Sequence, residues 1–385
     1  MAIDPANANP PTNQLSFQNI IDEFGENSTK SLGGYRMNNL NVGGLTEIPL
    51  DADTCGINAN SSIPVDTQEI KFSDFYNSRL NVLVDCYTSN QNRVSAKDKY
   101  TSVSQPGNYR IIGPKGGDNS PTSESPPSNT GGKKITILVN KQIGSQNSNN
   151  TTVVALRTGT WTTGTDLRIN VRNSGLISGA GGNGGTGGPT NVPNGEDGTS
   201  AIGIDYVGTT KLIGTSGAKI QNGYGGGGGG GWASGTTENG WNGINKPTLV
   251  GQGSGGGGGA GIPAGVGGQE PAPDGLVYAE GNNGGNGAPL LAGNGGTAGG
   301  DLGHGGEGGY IGGGAGGRGA DTEQTALGGN NGEVGGGEWQ WGPNVYGGGN
   351  AGENGYAIVK TSNKTLDTSG YAGSLVGGTQ NANPT

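Results

Sequence analysis

The chain has 385 residues, of which 88 are glycine and only 13% are charged, with a formal net charge of −9. Hydrophobic residues make up 29%, too little for an ordinary side-chain core in the glycine-rich half. Neither nucleic-acid binding nor membrane insertion is expected, because lysine and arginine are not clustered and the longest apolar run, 135–139, is far shorter than a membrane span.

Two short amphipathic units lie in the N-terminal region, 1–100. LSFQNIIDEFG (15–25) predicts a helix that Ser16 caps and Gly25 ends. IKFSDFYN (70–77) is a second unit of this kind, followed by a strand-like segment. Each unit is too small to bury its own apolar face, so we expect both to dock on each other, on a neighbouring subunit or on a larger assembly. The candidate docking residues are Phe17, Ile20, Phe24, Tyr35, Phe72, Phe75 and Tyr76.

Residues 101–172 are predicted to form a small β module. Four segments in it are rich in β-branched residues, as strands usually are: YRII (109–112), ITILV (135–139), TVVALRT (152–158) and LRINVRN (167–173). The polar segment 113–134, rich in Pro, Gly and Ser, reads as a long loop. The two cysteines, Cys55 and Cys86, are either free thiols or a disulfide, and their spacing does not decide between the two.

The region 173–362 is predicted to be a glycine-rich domain, followed by a polar tail, 363–385. It contains the unbroken run Gly225–Gly231 and a row of glycines at every third position. That row comprises Gly300, Gly303, Gly306, Gly309 and Gly312. A period of three matches an extended helix with three residues per turn and no internal hydrogen bonds. Its amides need partners, and glycine lets neighbouring helices approach closely enough to supply them.

Two alternatives compete with such a bundle of polyglycine II helices. Collagen is disfavoured because the chain has only 19 prolines and no sustained Gly-X-Y pattern containing them. A flexible linker would be uniform and serine-rich, whereas large aromatic residues interrupt these runs. We therefore predict a mostly β protein with few short helices, in which a small docking segment and a β module precede packed polyglycine II helices and short strands.

Side chains at the ends of the glycine runs are the candidate contact residues for carbohydrate or protein. Aromatic rings supply large contact area at low entropic cost. The competing interpretation is that they cap the glycine layers against water. The candidates are Tyr224, Trp232, Trp241, His304, Tyr310, Trp339, Trp341 and Tyr346.

The motifs do not point to catalysis or to a cofactor. His304 is the only histidine, and we interpret it as displayed from a glycine turn rather than as a base. GxGxxG strings occur by chance in so glycine-rich a chain. GGRGADTEQ (316–324) begins like a calcium nonapeptide but occurs once, which leaves Asp321 as a weak candidate metal ligand. We predict no enzyme activity, no cofactor and no metal.

Two parts of the chain resemble proteins of tailed bacteriophages. LSFQNIIDEFG, SLGGYR (31–36) and IPVDTQEIKFSDFYN (63–77) resemble a pattern near the N-termini of virion structural proteins. The segment 169–185 resembles the opening of the glycine-rich tips of tail-fibre adhesins, in which packed polyglycine helices hold loops that touch the host. The matching N-terminal positions are Leu15, Phe17, Ile20, Glu23, Phe24, Gly25, Ser31, Leu32, Tyr35, Ile63, Pro64, Ile70, Phe72, Ser73, Phe75 and Tyr76.

The resemblance implies a virion protein that attaches the particle to a host surface glycan or outer-membrane protein. Its N-terminal region would contact other virion proteins, and fibres of this class are usually homotrimers. The alternative is a capsid or tail decoration or connector that binds no receptor. A polysaccharide depolymerase is a third possibility. It is disfavoured because no spacing singles out a pair of carboxylates and because the β-solenoid with apolar stacks that is usual in such spikes is not expected here.

Overall fold

The structure is a computed structural model of the chain. It describes residues 15–24, 32, 69–75, 81–86, 91–101, 109–112, 129–187, 194–237, 248–251, 253–269, 277–279, 282–289, 291, 293–294, 302–303, 310–312, 315–321, 327, 333–334, 339–345 and 347–385. Strands are the main regular secondary structure among these residues and helices are few and short, which confirms the predicted mostly β fold class.

The elements up to the first long glycine run are α1 (Phe17–Phe24), a 3-10 helix (Phe72–Phe75), β1 (Asn81–Cys86), β2 (Gln91–Asn92), β3 (Val94–Ser95), α2 (Ala96–Thr101), β4 (Tyr109–Ile112), β5 (Lys134–Val139), β6 (Gln142–Gly144), β7 (Val154–Arg157), β8 (Asp166–Val171), β9 (Leu176–Ser178), β10 (Ser200–Ile204), β11 (Thr209–Gly214) and β12 (Lys219–Gln221). The remaining elements are β13 (Ala233–Thr237), β14 (Thr248–Gly251), β15 (Val277–Ala279), β16 (Leu302–Gly303), β17 (Tyr310–Gly312), β18 (Glu333–Val334), β19 (Trp339–Val345), β20 (Ile358–Lys360), β21 (Thr365–Tyr371), β22 (Ser374–Val376) and β23 (Thr379–Asn381).

Three sheets form the walls of a β-solenoid. Their strand orders are β21-β11-β8-β5-β1-β4, β2-β6-β9-β12-β22 and β3-β7-β10-β20-β23. Every pair in them is parallel except β1 with β4. The chain visits the three sheets in the same sequence five times, so β1-β2-β3 make coil 1, β5-β6-β7 coil 2, β8-β9-β10 coil 3, β11-β12-β20 coil 4 and β21-β22-β23 coil 5.

Apolar side chains stack in register through the solenoid. In the first sheet, Ile137 pairs with Val84 on one side and with Ile169 on the other, and Ile169 pairs with Leu212. The second and third sheets repeat the arrangement with the stacks Ile143–Ile177–Ile220 and Leu156–Ile202–Ile358. All of these side chains are buried in one hydrophobic cluster. The expectation that the chain lacks a β-solenoid with apolar stacks is therefore wrong.

The predicted domain boundaries do not follow this architecture. Strands β1 to β3, before residue 100, pair with β5 to β7 of the predicted separate β module. The predicted polar tail, 363–385, forms coil 5, because its strands extend all three sheets. Strand pairing between segments distant in the chain decides the units, and local composition does not show it.

The short N-terminal helices dock on the solenoid of their own chain. Ser16 caps α1, since its Oγ accepts a hydrogen bond from the Asn19 amide at 3.2 Å. Ile20 and Phe75 are fully buried in the solenoid's hydrophobic cluster, against which Phe17 also packs. The prediction that Ile20 and Phe75 dock on another protein is therefore wrong, because both are buried within their own chain. Phe72, in contrast, is 40% exposed. Tyr35, Tyr76 and the side chain of Phe24 lie outside what the structure describes.

The glycine-rich segments leave the solenoid at one corner, between its second and third sheets. Only Arg93 separates β2 from β3 in coil 1, whereas the corresponding segments are 145–153 in coil 2, 179–199 in coil 3 and 222–357 in coil 4. Coil 5 turns the same corner with Gly377 and Gly378. The glycine-rich region is therefore a set of insertions into single coils rather than a domain that follows them.

Candidate functional site

Eight described runs pass back and forth beside one another in these insertions: 179–187, 194–199, 223–231, 253–261, 263–269, 282–288, 315–321 and 347–356. They bond to each other at every third residue. Tyr224, Gly227 and Gly230 donate to the carbonyl oxygens of Ala260, Gly257 and Ser254, at 2.9, 2.8 and 2.8 Å. This three-residue repeat is the one expected of polyproline II-type helices that bond sideways.

Run 223–231 lies at the centre of this bundle, and each of its residues is buried. Its other amides point to other neighbours, since Gly226 donates to the carbonyl oxygen of Glu196 (2.9 Å) and Gly228 to that of Leu327 (3.0 Å). A helix with three residues per turn directs successive amides to three sides. The interior of the bundle is therefore hydrogen-bonded backbone rather than apolar side chains.

Glycine is needed in the bundle because backbone occupies the space of a side chain. A Cβ at Gly226, Gly227 or Gly228 would overlap the backbone carbonyl of Asn183, Gly317 or Gly349, respectively. The same holds along the neighbouring runs, for example at Gly256 against the carbonyl of Gly227. The runs consequently approach more closely than any other residue would permit.

Polar side chains complete the bonding of the runs at their edges. The side chains of Asn194, Asp197 and Ser200 accept hydrogen bonds from the amides of Asn350 (2.9 Å), Glu353 (2.7 Å) and Tyr356 (2.8 Å). These acceptors recur every three residues, in step with the helical turn. Sequence analysis did not assign this role, for which the only signal was the spacing of oxygen-bearing residues among glycines.

Two small sheets in contact lie at the far end of the runs. β15-β14-β13-β19 form one sheet and β16-β17-β18 the other, and β17 packs against β13 and β14. Run 223–231 leads into β13, and β19 leads into run 347–356. These two sheets are called the tip. At ~3.1 Å per residue, run 223–231 places the tip about 25 Å from the solenoid.

The tip brings together some of the candidate contact residues. Tyr310 lies in β17, while Trp339 and Trp341 lie in β19 opposite Thr237 and Thr236 of β13. Trp232, half-buried, directly precedes β13. Trp241, His304 and Tyr346 fall outside the described residues. The sequence thus indicated residues that share the tip, although it did not indicate their strands.

Tyr224 is placed differently from the prediction. It lies at the base of the bundle, is only 4% exposed and packs with Ala260, Ala320 and Val376. Burial, assisted by the negative charge of Asp321, raises the pKa of the Tyr224 phenol. Tyr224 cannot contact a receptor there, and for this residue the competing interpretation, that an aromatic ring closes off the glycine layers, is correct.

The structure also bears on two other predictions, the glycine packing row and the metal ligand Asp321. Gly303 and Gly312 of the predicted packing row lie in strands β16 and β17 rather than in a run, because local sheet pairing engages them. Gly300, Gly306 and Gly309 fall outside the described residues. Asp321 is not part of any metal-binding group, since no three His, Cys, Asp or Glu side chains cluster in the part of the chain that the structure describes.

Comparison with protein-family models, curated proteins and solved structures found no match to this chain. In the described portion, no helix combines the length and apolar character needed to cross a bilayer. Function must therefore be argued from the geometry and from the sequence resemblance.

Proposed function

We propose that the chain is a virion structural protein of a tailed bacteriophage, a tail fibre or adhesin, that attaches the particle to a host surface component through its tip. The observation that carries the proposal is the hydrogen-bonded glycine bundle, which supports a separate, aromatic-bearing pair of sheets about 25 Å from the solenoid. A spacer without apolar side chains can be rigid in water and still leave the tip free to bind.

The proposal assigns the partners by position. A host glycan or outer-membrane protein binds the tip, where Tyr310, Trp339 and Trp341 lie. Other virion proteins bind the N-terminal region, where Phe72 is an exposed candidate among the described residues. The chain forms a homo-oligomer, and light scattering on the purified protein tests for the trimer.

Adsorption to host cells tests the attachment role. Labelled full-length protein should bind cells of a strain on which particles carrying it form plaques, and the double variant Trp339→Ala, Trp341→Ala should bind at least tenfold less. Val207→Ala, at a 55% exposed position on the solenoid, is the control and should bind like the wild type. Amide exchange of run 223–231 verifies that the double variant keeps its bundle.

The same assay separates attachment from a decoration or connector role. If particles carrying the tip variant adsorb normally while its bundle is intact, the tip does not recognise the host. A depolymerase is the second candidate, and the observation that favours it is the parallel β-solenoid with its apolar stacks. Release of reducing ends from purified host envelope polysaccharide would establish that activity, and its absence would remove it.

A further inference from the structure

An open cleft of about 550 Å³ lies on the third sheet of the solenoid, away from the glycine bundle's tip. Residues from three successive coils line it: Arg93 and Lys97 beside β3, Arg157 and Thr160 at the end of β7, and Asp205 after β10. Its volume is in the range of small-molecule sites. Sequence analysis did not single out any of these residues, because they are dispersed along the chain.

Arg157 is held at the cleft by a paired carboxylate. Its Nη2 and Nε donate to the two Asp205 oxygens at 2.7 and 3.2 Å, and the Gly159 amide donates to the same carboxylate at 3.1 Å. Asp205 is 11% exposed, whereas the Arg157 side chain is 42% exposed. The guanidinium is thus fixed in orientation while part of it still faces the cleft. The hydrogen bonds that Arg157 donates to Asp205 outweigh burial and raise the pKa of Arg157.

Lys97 also lines this cleft, and its side chain is half-buried. Its Nζ lies 4.5 Å from the ring centre of Trp161 and 4.9 Å from that of Tyr100. Trp161 is itself fixed, since its Nε1 donates to the carbonyl oxygen of Thr158 at 2.8 Å. The Lys97 stem lies so close to Gly159, which has φ of +73°, that a Cβ there would overlap it. Burial lowers the pKa of Lys97.

Among the described residues, the contacts of the Lys97 ammonium are these two rings. Within the described ranges, no carboxylate or hydrogen-bond acceptor reaches its Nζ. Two ring faces offset part of the cost of burying a cation, but they do not satisfy its three N–H donors. Because the Lys97 side chain is half-exposed, water can bond these donors, and an anion in the cleft would replace that water with a charged acceptor.

The remaining charges restrict the kind of anion. Arg93, whose Nη1 donates to Gln146 Oε1 at 2.9 Å, is a third cation on the rim. Asp98 and Asp205 bring the formal charge of the lining to about +1, which suits one carboxylate of a ligand whose other charged groups stay in solvent. The exposed Asp98 carboxylate and Thr160 hydroxyl can bond to ligand hydroxyls.

We propose that this cleft binds an acidic saccharide, whose carboxylate is held by Lys97 and Arg157 and whose hydroxyls bond to Asp98 and Thr160. The site is distinct from the tip, and the proposal does not depend on the attachment role.

Calorimetry on the full-length protein tests the proposal with three probes: tetragalacturonate, neutral maltotetraose and inorganic phosphate. Tetragalacturonate should bind. Lys97→Met should weaken its binding at least tenfold, and Arg93→Gln at least threefold. Lys219→Met, which removes an exposed cation on β12, is the matched control and should bind like the wild type. Arg93→Gln changes an exposed side chain, so it keeps the test valid if Lys97→Met fails to fold.

Four outcomes would overturn the proposal: no binding of tetragalacturonate, equal binding of maltotetraose, displacement of tetragalacturonate by equimolar phosphate, or unchanged binding by folded Lys97→Met. Each is read from the purified protein and is independent of adsorption to cells. A failure here would therefore leave the attachment role standing, and the reverse is also true.

Discussion

The Gly227 amide donates a hydrogen bond to the carbonyl oxygen of Gly257 at 2.8 Å, and Gly227 in turn accepts one from the Gly185 amide at 2.8 Å. The three residues belong to different runs, which lie side by side without any intervening side chain. Ordering glycine costs more backbone entropy than ordering any other residue. Here dense hydrogen bonding between runs offsets that cost, in a part of the chain where apolar burial is scarce.

Amide hydrogen exchange should distinguish this bundle from a linker. The amides of Gly226, Gly227 and Gly257 are buried and bonded to neighbouring runs, so we expect them to exchange at least a hundredfold more slowly than in an unstructured peptide. Mass spectrometry of peptic fragments covering 223–231 and 253–261 measures this. Exchange at the rate of a free peptide in both fragments would show that the runs do not pack.

A single methyl group in the centre of the bundle should disrupt it. Gly227→Ala places a Cβ against the backbone of Gly317, where no flexible side chain can yield. We expect a loss of about 1–3 kcal/mol, as for other overpacked sites, measured by thermal melting. The matched change Gly378→Ala places its Cβ in ordinary contact with Tyr356, at 3.9 Å, and should be nearly neutral. Equal melting temperatures for the two variants would contradict the packing.

Asp197 should stabilise the bundle as a hydrogen-bond acceptor rather than as a charge. Its Oδ1 accepts from the Glu353 amide at 2.7 Å. Asp197→Ala removes that acceptor, and because the bond is exposed and water can take its place, the loss should be about 0.5–1.5 kcal/mol. Asp197→Asn keeps an oxygen in place and should lose less than half as much. Chemical denaturation of both variants measures the difference, and an equal loss would mean that the charge itself matters.

Asp166 should make the solenoid sensitive to acid. Burial favours its neutral form, but the hydrogen bonds and charges of Arg168 and Lys211 outweigh burial and lower the pKa of Asp166 below its ordinary 3.8. The Arg168 Nη2 lies 2.7 Å and the Lys211 Nζ 3.3 Å from the carboxylate. The carboxylate therefore stabilises the fold at pH values above 3.8, and this contribution is lost as the pH falls through the lowered pKa.

Denaturation of Asp166→Asn as a function of pH tests this sign. We expect the variant to be less stable than the wild type at pH 7, by on the order of 1 kcal/mol, and the difference to shrink as the pH falls below 3.8 through the lowered pKa of Asp166. Glu353→Gln removes one charge at an exposed position and should show little effect. A stability difference that stays constant as the pH falls from 7 to well below 3.8 would contradict the assignment.

The structure confirms the parts of the sequence interpretation that depend on neighbouring residues. Ser16 caps a helix where the sequence places one, and Ile135 and Ile169 lie in predicted strands. The solenoid was missed because its coils have no fixed period. The second-to-third-sheet connection is a single residue at Arg93 but runs from 222 to 357 in coil 4, so the repeat is invisible along the chain.

For the candidate site, too, the sequence indicated what depends on neighbouring residues and missed what depends on residues distant in the chain. Aromatic residues between glycine runs indicated a tip, and Trp339 and Trp341 lie in it. Tyr224 follows the same local rule but lies at the opposite end of its run, beside Val376. The cleft residues Lys97, Arg157 and Asp205 carry no local signal, because their proximity results from the stacking of three coils.

The sequence by itself determined that any fold of the glycine-rich segments relies on bonds to other backbone, because residues without side chains cannot form an apolar core and unbonded amides are costly to bury. Only the tertiary structure decided which runs are neighbours, and that all of them leave one corner of a solenoid. The reason is that strand pairs such as Ile202 with Ile358 and run contacts such as Gly195 with Asn350 join residues more than a hundred positions apart, where local sequence pattern carries no information.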